Sequence, residues 1–224
     1  MKYPEHTSTQ YDVELKTVCA SVLRMGEAVE SQLRDALEAL ATGDLITIDR
    51  VIKDGIVVNA MEIEIDESCT NILVRRQPTA NDLRLVKTII KTINDLERIG
   101  DEAESIALMA KLMIRKNSSL LPRYRQIIYT ADIALEMLGA ALDAFENLDT
   151  DAARKVGRKD DLIDEEFRSI LRHLAAYMME DTGELTMALN AALVARSIER
   201  IGDHAKSISG YVIYVMEGRE GRNV

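Results

Sequence analysis

Asp95-Leu96-Glu97-Arg98-Ile99-Gly100-Asp101 returns later in the chain as Ser197-Ile198-Glu199-Arg200-Ile201-Gly202-Asp203, with Glu-Arg-Ile-Gly-Asp identical in both. Glu97 and Glu199 are 102 positions apart in a chain of 224 residues, so each copy belongs to one half. Within each copy the Glu and the Asp are four apart, which on a helix stacks them on one face, about one turn from each other. Two carboxylates so placed repel unless something positive sits between them. The repeat therefore predicts a duplicated helical unit that carries one acidic turn per copy.

Working outward from the turns, apolar residues recur at steps of three and four. Val18, Val22, Met25, Val29, Leu33, Leu37 and Leu40 form one stripe of a first helix, from about Thr9 to Thr42. Gly43 suits its C-cap and Asp44 the N-cap of a second helix, about Leu45 to Arg75, with Val51, Val58, Ile65 and Ile72 inward. Pro78 breaks that helix, and Asn81 or Asp82 caps a third that reaches about Lys116. Asn117-Ser118-Ser119 reads as the break between halves, with Pro122 in a first helical turn. The second half repeats the plan at about 120–147, 150–180 and 183–217. Leu37, Leu40 and Asp44 correspond to Leu142, Phe145 and Asp149 at an offset of 105, which falls to 102 at the acidic turns. Three residues are thus missing between the last two helices. The fold class read from this is all-α: two tandem three-helix bundles related by internal duplication, residues 1–117 and 118–224.

Composition narrows the function. A formal charge of −10 and a pI near 4.9 argue against nucleic acid, whose phosphates need a basic face. Two cysteines, Cys19 and Cys69, lack metal-ligand spacing and fit a reduced, cytoplasmic chain with buried thiols. Met1 to His6 carries no apolar run of the kind a signal peptide needs. The uncharged run Leu185–Ala195 spans 11 residues, against the roughly 20 that a bilayer requires. No transmembrane segment is expected.

The acids fall on definable faces. In the third helix Glu97 and Asp101 lie at the edge of the stripe Ile89, Leu96, Ala103, Ala107, and small Gly100 and Ala103 admit a close neighbour. The sixth has the same layout, with Ile198, Gly202 and Ala205 beside Glu199 and Asp203. The inward stripe of the fifth reads Val156, Asp160, Asp164, Phe167, Leu171, Leu174, and unpaired carboxylates there would be costly. The second helix carries Asn59, Glu62 and Asp66 on one face. All-oxygen sets of this kind suit hard cations such as Mg²⁺, Mn²⁺ or Fe, and the competing reading is a solvated acidic surface. His6, His173 and His204 lie off these stripes, and no Glu is followed at three by His, as di-iron bundles require. Gly100 and Gly202 read as packing sites, not phosphate loops. Arg75-Arg76 and Arg154-Lys155 read as solvated surface, and the ten Met as core filler.

The run Arg76-Gln77-Pro78-Thr79-Ala80-Asn81-Asp82-Leu83-Arg84-Leu85-Val86, the two acidic turns, and Tyr177-Met178-Met179-Glu180-Asp181 together resemble the PhoU family of phosphate-regulation proteins. The resemblance covers nearly the whole chain. It implies a symmetric, non-catalytic protein, often a homodimer, with metal ions on the acidic turns. It also implies a cytoplasmic negative regulator that couples a phosphate ABC transporter, through its ATPase subunit, to the sensor histidine kinase PhoR. The family's acidic positions carry over to Glu97, Asp101, Asp160, Asp164, Glu199 and Asp203. In the second helix the equivalents of Asp160 and Asp164 are Gly55 and Asn59, so the expected acid is absent at 55, and Asp54 beside it is turned by about 100°. Counting carboxylates predicts that the second-half set binds Mn²⁺ or Mg²⁺ more tightly than the first. The alternatives are a carboxylate-bridged metalloenzyme, for which no nucleophile–base constellation is evident, and a plain scaffold.

Overall fold

In a computed structural model, residues 9–114, 125–180 and 185–218 are described. They form α1 (Thr9–Thr42), α2 (Leu45–Arg76), α3 (Ala80–Ile114), α4 (Arg125–Asn147), α5 (Thr150–Glu180) and α6 (Leu185–Glu217). There is no strand among the described residues. The expected break at 117–119 and Pro122 lie outside them.

Local chemistry sets the end of α1 and the starts of α2 and α5 as the sequence predicts, whereas α3 begins at Ala80, so Asn81 and Asp82 lie inside its first turn and do not cap it. Gly43 takes φ +76 and donates its N–H to Ala39 O at 2.8 Å, closing α1. Asp44 then accepts from the N–H groups of Ile46 (3.0 Å) and Thr47 (3.3 Å), which α2 itself cannot satisfy. The second half repeats the device. Asp149 accepts from Asp151 N and Ala152 N, and Leu148 holds the left-handed turn at φ +51 without a glycine.

Helices α1, α2 and α3 pack on one another, as do α4, α5 and α6, and the two bundles meet along α3/α6 and α1/α4. The cores are apolar, built from residues such as Val22, Met25, Ile48, Leu96 and Ile99 in one and Met137, Phe145, Ile163 and Ile201 in the other. Small residues set the close approaches. A Cβ on Gly26 would lie 2.6 Å from Leu142 Cδ2, so this glycine lets α4 seat against α1. A Cβ on Gly100 would lie 3.3 Å from Val58 Cγ1, and one on Gly202 2.8 Å from Ile163 Cδ1. Val58 and Ile163 are equivalent under the 105-residue offset, so both acidic turns pack their glycine on the same spot of the middle helix.

Helices α3 and α6 run antiparallel, and four contacts fix the register. Glu102 pairs with Arg200 at 2.8 Å and Asp95 with His204 at 2.8 Å. Lys91 lies over the Tyr211 ring at 5.1 Å, and Lys87 over Tyr214 at 5.7 Å. The two Glu-Arg-Ile-Gly-Asp turns therefore cross near the middle of this seam, where Asp95 and Glu102 are buried.

Three sequence readings are corrected here. Arg76 is not free surface: it makes two hydrogen bonds to Glu14, at 2.9 and 2.7 Å, and ties the end of α2 to α1. Arg154 likewise pairs with Asp151 and with Glu217 across the bundle. Met25, Met113, Met137 and Met187 fill the core, but Met179 and Met216 are exposed. Cys19 and Cys69 are buried thiols that form no disulfide, and burial, followed by Asp66 and Cys19, pushes the Cys69 thiol up to about 12. Among the described residues no helix is long and apolar enough to cross a membrane.

Candidate functional site

On the α5/α6 face the structure brings Asp160, Asp164, Glu199 and Asp203 into one electrostatic cluster. Burial, then Asp203, raises the Glu199 carboxyl above its ordinary range, with Asp164 and Asp160 adding to the shift. Burial, then Asp160 and Asp164, does the same to Asp203. Asp160 is buried as expected, but Asp164 is not on the inward stripe. Ile163 and Ile170 hold those positions, while Leu171 is exposed. At 3.6 residues per turn the step after 160 falls at 163, which leaves Asp164 about 100° round at the cluster's rim.

Three of these four acids already have cations. Lys206 Nζ donates to Asp160 Oδ2 at 2.7 Å. Arg196 donates to Glu199 Oε1 at 2.6 Å, and Arg168 to Asp164 Oδ2 at 3.1 Å. The hydrogen bond to Asp160 holds the Lys206 ammonium above its ordinary value, which marks it as firmly charged. The remaining oxygen of Glu199, Oε2, is buried without a partner.

The α2/α3 face has the opposite character. Burial, then Asp101 and Glu62, raises the Glu97 carboxyl, with Arg98 and His204 opposing. Burial, then Asp66, raises Glu62. Glu62, Glu97 and Asp101 thus feel one another's charge, Asp66 continues the face one turn along α2, and Asn59 is exposed before Glu62. Among the described residues no ion pair engages Glu62, Glu97, Asp101 or Glu104.

Gly55, where an acid was expected, is filled from the neighbouring helix. Its absent Cβ would sit 3.1 Å from Glu104 Oε2 and 3.4 Å from Gln32 Nε2. Gln32 donates that amide to Val51 O at 3.1 Å, and its Oε1 is buried with no partner. Sequence reading missed Glu104, Lys206 and Gln32. The offset of 102 sets Glu104 against Lys206, so the charge inversion was open to inspection, whereas Gln32 comes from a helix with no acidic motif.

Among the described residues no three His, Cys, Asp or Glu side chains stand close enough to hold a metal ion as placed. His204 contacts Asp95 rather than the acidic faces, His173 contacts Gln126, and His6 lies outside the described residues.

A family model described as the PhoU domain matches twice, over residues 22–110 and 127–212, once in each bundle. The chain is 40% identical over 221 residues to a phosphate-specific transport system accessory protein PhoU homolog from Burkholderia sp, covering 98% of this chain and 94% of that one. It is similar to the crystal structure of PhoU from Pseudomonas aeruginosa, with a TM-score of 0.90 and 41% identity over 93% of this chain and 100% of that one. The phosphate transport system regulatory protein PhoU from Streptococcus pneumoniae matches at a TM-score of 0.86 and 26% identity, over 94% and 98% of the two chains.

Proposed function

This chain belongs to the PhoU family, and from that premise we propose that it is a non-catalytic regulator of phosphate transport that represses the phosphate-starvation response. In this reading it is a cytoplasmic adaptor between the ATPase subunit of a phosphate ABC transporter and the sensor histidine kinase PhoR, working as a homodimer. The observation that carries it is the pair of domain matches, one per bundle, in a chain that spans nearly the full length of relatives named accessory or regulatory proteins.

The acidic faces give the adaptor a cation-dependent element. A hard divalent ion needs several oxygens and rewards carboxylates that repel one another without it. Glu62, Glu97, Asp101 and Glu104 meet that description on the α2/α3 face, with the orphaned Gln32 Oε1 beneath them. Bound there, Mn²⁺, Mg²⁺ or Fe would supply positive charge. The long Glu side chains would turn inward, and α2 and α3 would be clamped. Phosphate status would then reach the partners through docking on a bundle whose outer face is rigid.

The test is a deletion strain grown in ample phosphate. Starvation genes should stay expressed without this protein and fall silent when it is restored. Normal repression in the deletion strain would contradict the reading.

A further inference from the structure

We propose that Lys206 is a built-in cation that takes the place of metal on the α5/α6 face, so that only the α2/α3 face takes up a divalent ion. This rests on the metal reading above and assigns it to one of the two duplicated faces. It inverts the ranking that a count of carboxylates alone predicts.

On the α5/α6 face the inner position is filled. Lys206 Nζ lies 2.7 Å from Asp160 Oδ2, and the Asp160 side chain is only 6% exposed. Arg168 and Arg196 engage Asp164 and Glu199 Oε1 from outside. Glu199 Oε2 is buried without a partner, but a hard cation takes about six oxygens, and the inner one among these acids, Asp160, is already held by Lys206. An entering ion would have to displace an ammonium from a buried carboxylate and leave that ammonium beside it.

The α2/α3 face lacks every one of these cations. The residues equivalent to Lys206, Arg196 and Arg168 are Glu104, Asn94 and Ile63. Where Asp160 meets Lys206, the first half has a glycine whose missing side chain leaves room for Glu104 Oε2. A further observation points to a ligand. Gln32 is 1% exposed, its Oε1 has no partner, and that oxygen would lie 3.1 Å from a Cβ on Gly100, directly under the Glu97–Asp101 turn. A buried amide oxygen with no protein partner is satisfied by an ordered water or by an ion.

Full-length, metal-free protein titrated calorimetrically with Mn²⁺, with melting followed in parallel, tests the assignment. The wild type should show one class of site, weakened about tenfold or more by Glu97→Gln and kept in Asp160→Asn. Lys206→Met should gain a second binding event that disappears in Lys206→Met/Asp160→Asn, whereas Lys206→Arg should gain none. If Lys206→Met is poorly folded without metal, Mn²⁺ should raise its melting temperature more than that of the wild type. A wild type that takes up two ions, the tighter lost with Asp160→Asn, would overturn the inference and leave the metal reading standing. No Mn²⁺ uptake by the wild type, with a gain in Lys206→Met, would remove the metal reading and keep the role of Lys206. No gain in Lys206→Met overturns that role whatever the wild type does.

Discussion

At the position where α6 presents Lys206, α3 presents Glu104, and at the position where α5 presents Asp160, α2 presents Gly55. The scaffold around these four positions is shared. Both faces use the same Glu-Arg-Ile-Gly-Asp turn, the same glycine contact with the middle helix, and the same aspartate cap that starts that helix. One face carries its own ammonium and two guanidiniums, while the other carries an additional carboxylate and, among the described residues, no ion pair to Glu62, Glu97, Asp101 or Glu104. The comparison teaches that a duplicated scaffold fixes where charges stand but not their sign. Substitutions at a few positions, Glu104 against Lys206 and Gly55 against Asp160 first among them, separate an ion-paired face from one whose carboxylates lack cations.

The comparison breaks most visibly if the second-half pair is moved into the first half. Gly55→Asp places a carboxylate against Glu104 Oε2, and its Cβ alone would stand 3.1 Å from that oxygen. It should cost about 1–3 kcal/mol of stability in urea unfolding, even after the roughly 0.5–1 kcal/mol that a glycine inside a helix forfeits is regained. Adding Glu104→Lys should recover most of the loss by building the counterpart of the Asp160–Lys206 pair, and should remove Mn²⁺ uptake. If the double variant is no more stable than the single one, the two faces are not interchangeable in this way.

Acidity gives a smaller effect with a defined sign. Glu62, Glu97, Glu199 and Asp203 have carboxyls raised in the folded chain, so the fold binds their protons more tightly than the unfolded chain does. The penalty for ionising them is complete above the folded values and fades as pH falls toward the unfolded ones. Glu14, Asp44 and Asp49 are held below their ordinary values, by Arg76, Thr47 and Lys111 respectively, and lose their contribution as pH falls through those lower values. Metal-free protein should therefore gain stability on mild acidification just above the ordinary carboxylate range, by less than about 1 kcal/mol per group after screening, before losing it further down. Saturating Mn²⁺ should remove only the α2/α3 share. Glu62→Gln/Glu97→Gln should abolish the metal-sensitive part and Glu199→Gln should leave it. The reverse pattern would place the ion on the other face.

How much of this was legible beforehand follows from the range of the interactions. The ends of α1, α2 and α5 were readable because Gly43, Asp44 and Asp149 act within a few residues of themselves. The acidic turns and their glycines were readable because the chain states them twice. The phase of α5 was misread at Asp164 and Leu171, since a stripe extrapolated by fours drifts away from a helix of 3.6 residues per turn. Arg168–Asp164 and Arg196–Glu199 are pairs within one helical turn, but the contact that fills the inner position of the α5/α6 face joins distant ones. Lys206 reaches back 46 residues to Asp160, and His204 reaches 109 to Asp95. No local pattern announces such pairs, and a count of carboxylates is blind to the cations folded in among them.

The most direct measurement is anomalous diffraction from crystals of the full chain grown with Mn²⁺. One peak is expected, within coordination distance of Glu97 and Asp101 and beside Glu104, with Lys206 still on Asp160 Oδ2. A peak between Asp160 and Asp203, with Lys206 displaced, would contradict the division of the two faces.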